Sequence, residues 1–434
     1  MSDVVVIGAS ADGLAAAHLL ARARHRVTLV AEEATAERSA WLPAEAMREL
    51  GLDAVQFARP DPWLRAPLDD GTALELSSDM RRSVESIRRL SPRDAQSWPE
   101  FCARMSALAR LLERVYLEPP PSLVDLRFAL RVRRLGRHAM EDLMRALPMP
   151  AAELLDDWFE SDVLKGALAT FAVRDLHQGP RSAGTAFRLL HEHVGNPPGV
   201  FRRPTSDLAE QLRAQPGVHV REGYAVRVAV RGGRVTGVAL ESGDELPASL
   251  VVSAAAPSRT LIELLEPGSL DPDLGRAVRH IRDRVVAANY AVELERAPAW
   301  STLTLAPSLD YVERAYDDVK YERPSAHPWL DAVADGKRLH VHLQYAPYGK
   351  ANGDARIASL LPPEAPAIVA CQPVAPRPEQ AELMLDQALW MRPLPELARY
   401  RTPIAGLWLC GPAMHPGIAG ICGYNCAREI MRGA

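Results

Sequence analysis

At 434 residues and 47% apolar content, the chain is long enough to bury a large core and to divide into two or three lobes. Its 51 basic and 55 acidic residues nearly cancel, which leaves no broad field for nucleic acid or an anionic membrane. No apolar run approaches the roughly 18 residues of a membrane span. Five cysteines, an odd number scattered along the chain, fit reduced thiols better than a disulfide framework. A strand-like run beginning at residue 4, with no basic-then-apolar leader before it, leads to the expectation of a cytoplasmic protein.

The first element is the apolar run 4–7, leading directly into Gly8-Ala9-Ser10-Ala11-Asp12-Gly13 and then the helical pattern of Leu14, Ala17, Leu20 and Ala21. A second strand over 26–30 closes a βαβ unit of about thirty residues, the setting in which a Gly-x-Gly-x-x-Gly turn is informative. Such a turn offers a pyrophosphate the free N–H groups and positive end of a helix N-terminus. Gly8, Ser10, Asp12 and Gly13 are therefore candidate cofactor-binding residues. Ser10 occupies the middle glycine position, where a side chain stands in the way of close approach to the backbone. The acid that would hold a ribose is expected about twenty residues on. Ala31 stands there, and Glu32, one residue later, is the candidate, although alternation along a strand turns it to the other face. Two readings stay open at this turn: nucleotide binding, and a βαβ unit kept for packing.

Segments 83–112 and 123–147 carry helical periodicity, separated by Pro119-Pro120-Pro121, and read as a helical lobe. From residue 218 the pattern turns to strands: 218–220, 225–230, a turn at Gly232-Gly233, 234–241, a turn at Ser242-Gly243-Asp244, and the apolar run 250–252. Alternation over 285–294 and 339–345 predicts a separate sheet, in which His340 and His342 share a face. The proline-rich run 360–378 reads as a loop. The chain ends with a strand over 407–410, a turn containing Gly411, Gly417 and Gly420, which join the candidate cofactor contacts, and a helix around 425–431.

His415 lies in that last turn and is a candidate general base, with capping of the terminal helix region the more ordinary role. Cys422 and Cys426, four apart, would share a helical face near Cys410 and His415. The spacing of these four matches no standard zinc pattern and buried thiols are common core residues, so no metal is expected. Trp158, Phe159, Tyr311, Tyr316, Trp329 and Tyr345 are candidates for the lining of an apolar cavity, with ordinary core packing as the competing role.

Taken as a set, several stretches resemble the phytoene desaturase and amine oxidase superfamily of FAD-dependent oxidoreductases, and within it the pyridine nucleotide-disulfide oxidoreductase domain-containing protein 2 group. They are the N-terminal turn, Trp158-Phe159-Glu160-Ser161 through Leu164-Lys165-Gly166, Gly179-Pro180 with Gly184-Thr185-Ala186, Gly232 to Val238, Val252-Ser253-Ala254, and Met391-Arg392-Pro393 through Gly406-Leu407. The resemblance implies an α/β fold in which a Rossmann-type FAD/NAD(P)-binding lobe interleaves with an α+β substrate lobe. The corresponding division is residues 1–75, 196–280 and 396–434 for the first lobe, and 76–195 and 281–395 for the second. It also implies hydride removal from a C–H or C–N bond to FAD, the cofactor carrying the hard step.

The departures from the family pattern fall where relatives touch FAD. Besides Ser10 and Ala31, the Gly-Gly loop after the second strand is missing, the chain running from Glu33 to Leu52 in far fewer residues. Arg202-Arg203-Pro204-Thr205 replaces a Gly-Gly-Met-Gly turn, and His415-Pro416-Gly417 is followed by Ile418 where relatives carry two more glycines. If each change costs ~1 kcal/mol, five together weaken binding by several powers of ten. Arg202 or Arg203 contacting a phosphate instead is the competing outcome. The expectation is a flavoprotein-like pseudoenzyme, FAD doubtful, acting as an accessory subunit or binding protein beside an intact homologue or pathway enzyme. The alternative is an active FAD-dependent oxidoreductase acting on an apolar or amine-bearing small molecule.

Overall fold

The computed structural model describes residues 2–32, 41–52, 55–120, 137–347, 353–374 and 381–433. At its centre is a parallel sheet of five strands in the order Leu407–Leu409, Leu250–Ser253, Asp3–Ile7, Arg26–Ala31 and His219–Glu222. Val4, Val5, Val6 and Ile7 are all buried, as a central parallel strand covered on both faces demands. The helix Ala11–Arg22 makes the first crossover, and the terminal helix Ile421–Gly433 packs against it. That helix starts earlier than expected, so Cys422 and Cys426 both lie on it.

Next to this sheet, Ala225–Arg231, Arg234–Leu240 and Glu245–Pro247 form an antiparallel meander. Gly232 and Gly233 both hold positive φ, 57° and 71°, as a two-residue hairpin turn of this hand requires. A third, antiparallel sheet runs Thr302–Leu305, Leu330–Asp335, Arg338–Gln344, Ala287–Leu294 and Ile368–Val374, around a small core of its own containing Tyr290, Trp300 and Leu343. The strand Ile368–Val374 corrects the loop expected over 360–378. It sits at the sheet edge, where Pro373 is tolerated because an edge residue need not donate to a ladder.

The helical region is finer-grained than its periodicity. Pattern 83–112 is two helices, Met80–Arg88 and Pro92–Tyr116, divided at Ser91, whose hydroxyl accepts from Asp94 N–H and caps a helix opening on proline. Of the expected helix 123–147, residues 123–136 lie outside the described residues, and Arg137–Ala146 is helical. Three further helices, Ala151–Trp158, Asp162–Val173 and Thr185–His193, complete the lobe. Phe159, Trp329 and Tyr345 are buried, and Trp158, Tyr311 and Tyr316 pack partly buried against the main core. No helix among the described residues is long and apolar enough to cross a membrane.

Candidate functional site

The glycine turn sits where the first parallel strand ends. Gly8 adopts φ +94° and donates to Val30 O at 3.0 Å. Ser10 caps the following helix, its Oγ accepting from Gly13 N–H at 3.4 Å. Asp12 is wholly buried, and its Oδ1 accepts from Gly423 N–H at 3.0 Å, joining the first helix to the last. A Cβ on Gly13 would stand 2.0 Å from Gly8 O, one on Gly411 2.2 Å from Ala254 O, and one on Gly423 1.9 Å from Asp12 O. These three glycines are contact points of the frame itself.

Glu32, just past the second strand, turns toward the chain rather than into open space. Its carboxylate accepts both guanidinium nitrogens of Arg259, at 2.5 and 2.6 Å, and Ala225 N–H at 3.2 Å. The Arg259 guanidinium stacks 4.1 Å from the centre of the Tyr224 ring. The shortened stretch after this strand is described only in part, since residues 33–40, 53 and 54 lie outside the described residues.

The C-terminal turn is packed from both sides. Gly420, at φ +86°, has Leu42 and Leu208 against it, and Ile418 is buried. Gly417, at φ +77°, lies against Arg392. Arg392 is buried, yet all its N–H directions meet backbone carbonyls: Met414 from Nε, Glu382 and Gln387 from Nη1, Ala381 and Pro412 from Nη2, at 2.8 to 3.3 Å. Burial lowers its pKa to about 10. His415 is fully buried, with Nδ1 3.1 Å from Leu389 O and Nε2 3.2 Å from Val115 O, while Tyr400 donates to its carbonyl at 2.7 Å. Burial pushes the imidazole down to about 4, against the pull of those two carbonyls. Each ring nitrogen thus faces a backbone carbonyl, and the neutral imidazole, with one N–H, donates to one of them.

The metal candidates do not converge. Cys422 donates to the carbonyls of Met414 and Ile418, burial raises the thiols of Cys422 and Cys426 well above the usual range, and Cys410 is buried in the core. No group of three metal-ligating side chains occurs among the described residues.

Arg202 and Arg203 both face inward. Arg202 grips Asp331 with two bonds of 2.6 and 2.8 Å and donates to Trp63 O. Asp331 also accepts from Thr304 and pairs with Arg174, and despite burial these guanidinium groups hold its carboxyl far below the usual range. Arg203 reaches Glu192 at 3.1 Å and donates to His191 O at 2.6 Å, and Glu192 pairs with Arg188 as well. His191 bonds the Tyr116 hydroxyl at 2.9 Å, and burial lowers its pKa well below the ordinary value. None of these partnerships was read from the sequence: Asp331 is 129 residues from Arg202, and even the nearer pairs of Glu192 with Arg188 and Arg203 look like surface charges residue by residue. Arg392 carried one signal, its place in a family-like stretch.

Comparison with known proteins agrees with this architecture. Residues 44–365 match the family of flavin containing amine oxidoreductases. The chain is similar to pyridine nucleotide-disulfide oxidoreductase domain-containing protein 2 of Rattus norvegicus, 24% identical over 99% of this chain and 93% of that one. It is also similar to hydroxyneurosporene desaturase of Cereibacter sphaeroides, 30% identical over 62% of this chain and 59% of that one. Among solved structures it shares the fold of putrescine oxidase bound to putrescine, with a TM-score of 0.58 at 13% identity over 99% of both chains. With the parallel sheet, the glycine turn and a family match over most of its length, the chain belongs to the flavin containing amine oxidoreductase family.

Proposed function

We propose that this member of the FAD-dependent oxidoreductase superfamily does not hold FAD and serves as a non-catalytic accessory or binding subunit, beside an intact homologue or another enzyme of its pathway. In this reading the dinucleotide-type lobe, residues 1–75, 196–280 and 396–434, persists as a scaffold.

The observation that supports it is that the groups expected along the ligand line are bonded or packed within the chain. A dinucleotide on a parallel sheet lies outside the carboxyl ends of the strands, its pyrophosphate on the helix N-terminus and its ribose on the acid after the second strand. Here Ser10 Oγ takes the Gly13 N–H, Arg259 takes Glu32, and Leu42, Leu208 and Ile418 pack the closing turn. Arg202 and Arg203 are engaged by Asp331 and Glu192, so neither is available to a phosphate without breaking a buried ion pair. His415 is buried with each ring nitrogen facing a backbone carbonyl, so neither nitrogen is turned toward a substrate. The residues present do not fit the cofactor.

The test is the absorbance spectrum of protein purified from cells supplied with FAD. The proposal expects no flavin bands. Stoichiometric bands would favour the alternative, an active oxidoreductase acting on an apolar or amine-bearing small molecule, and would make turnover under oxygen the next assay.

A further inference from the structure

A cleft of about 410 Å³, the size of a small-molecule site, opens between the helix Pro92–Tyr116, the turn at 195–198 and the segment 41–44. From the helix, Ala109, Arg110 and Glu113 line it, the last two a single turn apart on one face. Across from them stands Arg59, held by its own hydrogen bonds: Nε donates to Asn196 Oδ1 at 3.2 Å and Nη2 to Gly195 O at 3.3 Å. Its Nη1 has no acceptor among the described residues, and Arg110 has no ion-pair or hydrogen-bond partner there either. The floor is Trp41, buried and seated over Gly195, where an added Cβ would fall 2.1 Å from the indole ring. Gly195 thus has to be glycine both for its φ of +80° and for the tryptophan to lie there.

We propose that this cleft binds a small organic acid with an apolar body, its carboxylate between Arg59 and Arg110 and its body against Trp41. Two guanidinium groups lining one space, neither in an ion pair among the described residues, favour a carboxylate, which accepts such donors in pairs. One is pre-oriented by backbone and amide bonds, so little ordering is needed on binding. A volume of about 410 Å³ with an indole floor selects a compact apolar acid over a bare inorganic ion. Glu113, half-buried at the same wall, opposes the bound anion and keeps the site from holding its ligand tightly. The two charged groups that carry the proposal, Arg59 and Arg110, belong to neither the glycine turn nor the closing turn, although Leu42 lines the cleft and also packs against Gly420.

The test uses the full chain and ligand-observed NMR titrations with benzoate, phenylacetate, indole-3-acetate and hexanoate, each against its neutral amide. At least one acid should bind saturably and outcompete its amide by about tenfold or more. Arg110→Gln, an exposed change expected to leave folding intact, should weaken that acid by roughly fivefold or more, and Glu113→Gln should strengthen it by about two- to threefold. Saturable binding by none of the acids, equal binding of acids and amides, or an Arg110→Gln protein that binds as the parent does, would each overturn the proposal.

Discussion

The glycines that pack the frame and the positions that would face a ligand have fared differently in this molecule. Gly13, Gly411 and Gly423 are each confined by a backbone oxygen about 2 Å from where a Cβ would stand, so the βαβ unit and terminal helix cannot assemble without them. At Ser10, Glu32, Ile418, Arg202 and Arg203, the positions on which the proposed function rests, the chain has a capping side chain, an internal ion pair or apolar packing. The difference separates two uses of one motif. The first and third glycine positions serve strand-turn-helix geometry whether or not anything binds, while the middle one serves only the approach of a pyrophosphate.

The largest test of this contrast is Asp331→Asn. It leaves the buried Arg202 and the partly buried Arg174 without a full counter-charge, and should cost about 3–5 kcal/mol in denaturant unfolding. A loss within surface-mutation range would mean that Arg202 is not anchored inward. On the frame side, Gly13→Ala forces a Cβ against Gly8 O and should cost about 3 kcal/mol or more, read in the same experiment. If the frame tolerates it, glycine retention has another cause.

A smaller effect comes from pH. His415 is pushed down to about 4 from an ordinary value of 6.5, so the unfolded chain takes up its proton first on acidification. Stability from this group is complete above the unfolded pKa, falls as pH drops from 6.5 toward 4, and levels off below. At about pH 5 the loss is on the order of 2 kcal/mol. His193 and His342, also lowered to about 4, act in the same window. The stability of His415→Gln should therefore depend less steeply on pH between neutrality and about pH 5; an unchanged slope would mean that His415 is not buried neutral. The smallest effect belongs to Ser10→Gly, which removes the cap for a few tenths of a kcal/mol and, by itself, restores no FAD binding. A saturable FAD isotherm in that variant alone would reduce the filled ligand line to one residue.

Much of the frame was legible in the sequence because it depends on local pattern. The run 4–7, the glycine turn, the hairpin at Gly232-Gly233 and the strands at 250–252 and 407–410 all appeared within a residue or two. What escaped depends on distance or on context. Arg202 and Asp331 are 129 residues apart, Glu32 and Arg259 227 apart, and periodicity carries no trace of such pairs. The edge strand Ile368–Val374 was hidden by prolines that only an edge position tolerates. Arg392 binds carbonyls, which no side-chain motif announces. The departures at Ser10 and Ala31 were plain from spacing alone, whereas the partners of Glu32, Arg202 and Arg203 became visible only in three dimensions.

An equilibrium dialysis titration of the purified chain with FAD tests most directly the proposal that the chain's own groups fill the ligand line. No saturable uptake over the concentration range that loads an intact family member is the predicted result; stoichiometric, saturable binding would contradict it.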